Sequence, residues 1–346
     1  MEKPHISVII PVYNAEATIK RCVNSIVTNE ARVEIICVDD GSKDQSYKVL
    51  QEIANQDNRV VILRQNNSGA GEARNAGLRY AQGDYIMFCD ADDAYLSETI
   101  DLVYEDIKSF EPDFIVFHRK TVLLDGHIQI WGSEQETLQK FECNGIQYMK
   151  TYFMSHSHGA GVVTKVFKKS VIDANGIKFQ KFKFGEDLCF ILEYIIHAEN
   201  IVEDYRAYYQ QWQSEGSLCL SSNPDYFDLN LACIKYFESK YPQESLNLSV
   251  FFNKYKCGLL FRSVERILEG VDVSENSGKY YCLKNLIIRP DIQNLLETIV
   301  SSNDYDESLS NKCKMLMKRH ITSYALSTYY LPLAKQKLKS IIGYIK

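Results

Sequence analysis

Residues 84–93 read DYIMFCDADD, an apolar run from Tyr85 to Cys89 that ends in three carboxylates within four positions, Asp90, Asp92 and Asp93. A short apolar run bounded by Gly83 on one side and by acids on the other predicts a strand buried on both faces. The flanking sequence repeats the theme. ISVIIPV (6–12), VEIICVD (33–39), RVVILRQ (59–65) and DFIVFH (113–118) are further strand candidates. Between them stand the helix-like stretches NAEATIKRCVNSIVTN (14–29), KDQSYKVLQEIANQ (43–56), GAGEARNAGLRYAQ (69–82) and SETIDLVYEDIKSF (97–110). This alternation predicts an α/β domain with a Rossmann-like, mostly parallel mixed sheet and helices on both faces. Open α/β sheets bind ligands outside the carboxyl ends of their strands, so Val12-Tyr13-Asn14, Asp39-Asp40-Gly41-Ser42 and Asp90–Asp93 should face one crevice.

Past residue 118 the pattern loosens. Residues 119–180 show a hairpin signal at LLDGHIQI (123–130) and a helix signal over 145–154. KFGEDLCFILEYIIHAEN (183–200) reads as a loop ending in Glu186 and Asp187, which open an amphipathic helix, where acids suit the positive helix end. YRAYYQQWQSEGSLC (205–219) reads as a strand running into a loop, and the chain beyond Pro224 as helical and Tyr-rich. At 346 residues the chain exceeds the usual size of one core. The expected organisation is an α/β domain over 1–222, in two parts meeting near 118, then a mainly helical region over 223–346.

Composition narrows the class. With 45% hydrophobic and 24% charged residues the chain is globular. No apolar run reaches the roughly 20 residues of a spanning helix, and MEKPHISVII lacks a leader pattern, which predicts a cytoplasmic protein. Ten cysteines without a CxxC pair predict reduced thiols, without disulfides or zinc. A net charge of −6 argues against nucleic acid as partner, because such binding rests on neutralising phosphates. The basic residues concentrate instead in 308–346, which holds eight Lys or Arg and no acid.

The motifs point to phosphate and metal chemistry. Clustered carboxylates at a strand end repel one another, and a divalent cation with diphosphate oxygens relieves that repulsion. The bland alternative is a turn whose acids cap the helix near Ser97. Asp39 and Asp40 can accept from a nucleobase imide or from ribose hydroxyls, while Ser42 or Asp44 caps the next helix. Tyr13, in Pro11-Val12-Tyr13-Asn14-Ala15-Glu16, offers a ring to stack on a base. Arg74, after Gly69 and Gly71, offers a cation to a diphosphate, or else a surface ion pair. GAGEAR lacks the third glycine of a dinucleotide fingerprint and follows the third strand, which excludes that reading. Glu186 and Asp187 are candidates for a general base that takes a hydroxyl proton, or for simple helix caps. His156 and His158 fit a polar loop better than a metal site.

Together SVIIPVYNAEATIKRCVNSI, VEIICVDDGSKDQS, NSGAGEARNAGLRYAQGDYIMFCDADD, TKVFKKSVIDANGIKF and GEDLCF make the chain resemble glycosyltransferase family 2 over roughly residues 5–220. The resemblance implies the GT-A fold and an inverting, metal-dependent transferase using a UDP-sugar with Mn2+ or Mg2+. It implies that 1–118 binds the nucleotide-sugar and 119–222 the acceptor. Pro11, Tyr13 and Glu16 would line the nucleoside pocket, and Asp40 would read the uracil beside Asp39. Arg74 would approach the diphosphate, Asp90 the ribose and Asp92 the metal, with Asp187 of the Glu186-Asp187 pair as the base. Many relatives follow this pair with an aromatic pair, an Arg or His, and a Ser-Leu-Ser loop. Here the chain has Tyr208-Tyr209-Gln210-Gln211-Trp212-Gln213 and then Gly216-Ser217-Leu218-Cys219, so only Ser217 is left to cover the donor.

The acceptor expected from this likeness is a saccharide or lipid-linked saccharide, as in bacterial surface-polysaccharide synthesis. LAKQKLKSIIGYIK (333–346) has the spacing of a basic amphipathic helix, suited to peripheral contact with the inner face of the cell membrane or to packing on its own domain. The aromatic stretch 226–281 suits a core, a homodimer contact or an acceptor groove. Two rivals remain at this level: a nucleotide-sugar-binding or membrane-bound assembly subunit without catalysis, and a nucleotidyltransferase, which would need a Gly-rich basic loop where PVYNAEA stands.

Overall fold

The computed structural model describes residues 3–131, 138–141, 143–153, 161–213, 225–269 and 276–317. His156, His158, Ser217, Cys219 and the tail from 318 onward lie outside them. Residues 1–215 with 233–247 form one compact unit, and 216–232 with 248–346 form another.

The first unit is built on the predicted alternation. In chain order it holds β1 (Ile6–Val12), α1 (Ile19–Asn24), β2 (Val33–Asp39), α2 (Ser46–Ala54), β3 (Val60–Arg64), α3 (Ala70–Tyr80), β4 (Tyr85–Phe88), β5 (Ala94–Tyr95), α4 (Thr99–Phe110) and β6 (Phe114–Val122). β3, β2, β1 and β4 lie side by side, all parallel; the apolar runs of β2, β1 and β4 are almost wholly buried, while β3 at the sheet edge is buried only at Val60. The hairpin read at 123–130 is present, with β7 (Ile128–Trp131) antiparallel to β6, followed by β8 (Leu138–Phe141) and α5 (Gly145–Tyr148). The helix expected over 145–154 is one α-turn that passes into a π-turn, Met149–Phe153.

The main departure is β9 (Lys165–Lys168), which follows a 3-10 turn, Val162–Thr164. It lies between β4 and β6, antiparallel to both, with Phe167 opposite Ile86 on one side and Phe114 on the other. Four residues are too few for periodicity to declare a strand. The unit continues with α6 (Lys169–Asn175), α7 (Glu186–Ile195) and β10 (Ile201–Trp212), which runs parallel to β6 and antiparallel to β5 and β8. The mixed sheet order is β3-β2-β1-β4-β9-β6-β10-β5.

Two contacts fix the elements that carry the polar residues. Gly77 lets α3 press against β1, because a Cβ there would lie 2.4 Å from Ile9 Cγ2. Phe88 at the end of β4 meets Phe179 and Phe190 edge-on at 5.4 and 5.9 Å, and those two rings stack at 4.2 Å. Phe190 sits one turn into α7, so this cluster locks the start of α7 onto the end of β4.

Helix α8 (Tyr226–Lys240) and α9 (Pro242–Asn247) follow, then α10 (Ser249–Glu269), α11 (Asn276–Ile287), α12 (Pro290–Ser301) and α13 (Glu307–Met317). In the second unit Ile292, Leu295, Leu296 and Ile299 give α12 one buried face at helical spacing. Arg289 forks onto both carboxylate oxygens of Asp228 at 2.7 and 2.9 Å. Among the described residues no helix is long and apolar enough to cross a membrane.

Gly77→Val is expected to lower stability by about 2–3 kcal/mol, since neither α3 nor β1 can withdraw from the contact. Gly258→Ala, in the interior of α10 with open space at its Cβ, should be neutral or gain up to about 1 kcal/mol. Urea unfolding of the two variants checks both values.

Candidate active site

The loops at the carboxyl ends of β1 and β2 are bonded to each other. The Asn14 N–H donates to Ser42 Oγ (3.1 Å), the Lys43 N–H to Asn14 Oδ1 (2.9 Å) and the Ala15 N–H to Ser46 Oγ (2.7 Å). Glu16 accepts from the Gln45 N–H at 2.7 Å, so its carboxylate closes the amino end of α2. Tyr13 stands 45% exposed on this platform, next to Pro11 and able to receive a planar ring. Asp39 is fully buried, held by the Ser42 N–H and an ion pair with Arg64 at 3.0 Å. Asp40 accepts from Gln65 Nε2, the Ser68 N–H and the Gly69 N–H, each at 2.8 Å. These three bonds shape the turn that launches α3, and with it Arg74.

Arg74 is the junction of the site. Buried to 4% exposure, it donates through Nη2 to Asp90 and through Nη1 to Asp187, both at 2.9 Å. Its neighbour Asn75 clamps the Phe179 backbone by two 2.9 Å bonds, and the guanidinium lies 5.4 Å from the Phe179 ring. Burial raises the Asp187 carboxyl above the usual carboxylate range, and Arg74 only partly opposes this. Glu186 is pushed up to about 7, first by burial and then by the Asp187 charge.

The acidic loop is anchored from β10. Asp93, 2% exposed, accepts from Tyr209 Oη at 2.9 Å and from the Trp212 N–H at 3.0 Å, while Tyr209 Oη itself accepts the Asp90 N–H at 3.1 Å. Burial, then Asp90 and Asp92, raise Asp93 to about 8. Asp92 is left at the surface, its carboxyl raised by desolvation and by Asp90. Where Arg or His was expected near residues 210–213, a cation arrives from α1 instead: Arg21 stacks on Trp212 at 3.7 Å and donates to the Asp92 carbonyl.

Among the described residues no group of three or more His, Cys, Asp or Glu forms a cage for a metal ion. One exposed carboxylate beside two anchored ones fits a cation that takes most of its oxygens from a diphosphate and water, the habit of Mg2+. Asp92 would be its protein ligand.

Of the expected residues, Arg74, Asp90, Asp92, Glu186 and Asp187 come together in one constellation; Pro11 and Asp39 lie at the carboxyl ends of β1 and β2, and Tyr13, Glu16 and Asp40 on the loops that follow them. The sequence reading missed Tyr209, Trp212 and Arg21 as site residues. Tyr209 is one of 23 tyrosines, and only its register opposite Tyr95 on β5 singles it out.

The model of glycosyl transferase family 2 matches residues 7–170. Glycosyltransferase GlyA of Streptococcus pneumoniae serotype 4 is 28% identical over 223 residues, which are 62% of this chain and 31% of that protein. The poly(ribitol-phosphate) beta-N-acetylglucosaminyltransferase TarS of Staphylococcus aureus is 29% identical over 216 residues, 61% of this chain and 36% of that protein. The chain thus spans about a third of the length of these curated relatives. The crystal structure of S. aureus TarS 1–349 in complex with UDP-GlcNAc superposes with a TM-score of 0.65 at 20% identity, over 92% of either chain. That likeness bears out the expected GT-A fold.

Arg74→Met leaves two carboxylates without their buried cation and is expected to cost about 3–5 kcal/mol in stability at neutral pH, read from urea unfolding. Glu186 binds its proton more tightly folded than unfolded. Its contribution is therefore complete below about pH 4.5 and is lost as pH rises through about 7. Between pH 4.5 and 7.5 the metal-free unfolding midpoint of Glu186→Gln should accordingly fall less than that of the wild type.

Proposed function

We propose, from the match of residues 7–170 to the model of glycosyl transferase family 2, that the chain moves a sugar from a UDP-sugar to a saccharide or lipid-linked saccharide acceptor, with inversion at the anomeric carbon, in bacterial surface-polysaccharide synthesis. The observation that carries this reading is the double grip of Arg74 on Asp90 and Asp187. It brings the acidic loop, the donor side of the site, within one guanidinium of the candidate base.

The chemistry follows from the placement. Tyr13 stacks on the uracil, above the platform held by Glu16, Asp39 and Asp40. Asp90 would face the ribose, and Ser217, outside the described residues, is the residue the sequence offers to cover the donor. Asp92 would hold a divalent cation, which would supply charge neutralisation for the leaving diphosphate. Asp187 accepts the proton of the acceptor hydroxyl as its oxygen attacks the anomeric carbon from the face opposite the diphosphate, and UDP departs. The raised carboxyl of Glu186, next in sequence, lets the pair hold a proton near neutral pH, so the two titrate as a unit. UDP-GlcNAc is the first donor to try, because it occupies the structural neighbour TarS. Residues 1–118 would serve the donor and 119–222 the acceptor, leaving the tail for membrane contact and the 223–346 region for a dimer contact.

Against a nucleotidyltransferase, the loop after β1 has no glycine and is tied to the loop after β2 by side-chain bonds, leaving no Gly-rich cradle for a triphosphate.

Release of UDP from a panel of UDP-sugars with Mn2+ or Mg2+ tests the proposal. One donor should turn over slowly with metal. Asp92→Ala should abolish turnover, and Asp187→Asn should lower kcat by about 100-fold or more while UDP still binds. Absence of turnover and of binding for every UDP-sugar would falsify the donor class, and UDP binding without turnover would favour the non-catalytic rival.

A further inference from the structure

Arg21 has no part in the transfer chemistry above, although through it α1 reaches the acidic loop and β10 at once. Its guanidinium lies 3.7 Å from the centre of the Trp212 ring and donates to the Asp92 carbonyl. Two more contacts come from the same stretch of chain: the Cys22 thiol donates to the Asp90 carbonyl at 3.4 Å, and Ser25 Oγ, at the helix end, accepts the Tyr95 N–H at 3.1 Å. β10 holds the other side, since the Trp212 N–H and Tyr209 Oη both donate to Asp93. The turn itself is closed by the Asp93 N–H on the Asp90 carbonyl at 3.0 Å. The loop is thus gripped between α1 and β10, and the stack of Arg21 on Trp212 joins the two sides. Arg21 is exposed, and fixing a long exposed side chain costs conformational entropy. A planar guanidinium can stack and donate at the same time, which a lysine does less well.

We infer that Arg21 is a positioning residue for the metal ligand: by donating to the Asp92 carbonyl while seated on Trp212, it fixes the Asp92 peptide and with it the direction in which the Asp92 carboxylate stands. The inference rests on Asp92 as the ligand of the divalent cation. The bond goes to the carbonyl and not to the carboxylate, so the ligand is aimed without being neutralised by an ion pair. Groups that orient a ligand from behind govern how tightly the metal is held. Charge alone acts in the opposite direction. A guanidinium beside a metal site repels the metal, so its removal would by charge alone tighten binding. Weaker binding on removal therefore reports lost orientation.

The test is Mn2+ binding at saturating UDP, read from the paramagnetic resonance of free Mn2+, in Arg21→Met, Arg21→Lys and Trp212→Leu. Arg21→Met should weaken Mn2+ binding by about tenfold, while UDP affinity without metal changes by less than about twofold. Arg21→Lys, which can still donate to the carbonyl, should recover part of the loss. Trp212→Leu keeps the backbone N–H on Asp93 and removes the ring, so it should weaken Mn2+ binding by about threefold. It decides the matter if Arg21→Met does not fold. In UDP-sugar turnover the loss should appear as a higher Mn2+ half-saturation, with kcat at saturating Mn2+ falling far less. Mn2+ bound as in the wild type, or more tightly, by Arg21→Met and Trp212→Leu overturns the role of Arg21 and leaves Asp92 as the ligand. An equal loss of UDP affinity with and without metal overturns it as well. A wild type that binds no Mn2+, or binding that survives Asp92→Ala undiminished, overturns the metal site and this role with it.

Discussion

The site depends on one buried guanidinium. Arg74 is charged at any pH the protein meets, and its two 2.9 Å bonds run to carboxylates that lie 97 positions apart in the chain, Asp90 and Asp187. Without that cation the end of β4 and the start of α7 would repel each other. The fold prepares the junction from three sides. Asp40 shapes the turn that begins α3, Gly77 seats α3 on β1, and the Phe88, Phe179 and Phe190 rings hold α7 against β4. Apolar packing supplies the alignment, and the ion pairs fix what is aligned.

The same economy governs the acidic loop. Three acids in four positions differ in what holds them: Asp90 pairs with Arg74, Asp93 is buried beneath Tyr209 and Trp212, and Asp92 remains at the surface. Their close spacing is the reason a single cation is proposed there. Tyr209 Oη accepts from the Asp90 N–H while donating to Asp93, so one hydroxyl fixes the loop at both ends.

Much of this was legible in the sequence, for a physical reason. Buried parallel strands must be continuously apolar, and a binding crevice at their carboxyl ends must be polar, so runs such as VEIICVDD declare both strand and site. The candidate positions from Pro11 to Asp92 could be placed on the crevice in that way. What stayed hidden were partners set by tertiary register. Whether Asp40 or Glu16 faces a ligand or the chain depends on loops that meet only in space, and the structure turns much of their bonding capacity inward. Nothing in TKVFKK marks Lys165 as buried, because alternation over four residues does not say which side of a strand is buried. Arg21 standing over Trp212 joins α1 to β10, and no local pattern links those two.

The insertion of β9 between β4 and β6 bears on how the polypeptide assembles as it is made. β1 to β4 are complete once Phe88 has been synthesised, and they form a set of parallel neighbours that can pair at once. The strand that covers the free edge of β4 does not exist until Lys165 to Lys168 emerge, and β6, made earlier, cannot take its place in the native order. An unpaired strand edge invites pairing with other chains. For the span of synthesis between Phe88 and Lys165 the nascent protein therefore carries an open seam, closed only when β9 pairs with β4 on one side and β6 on the other.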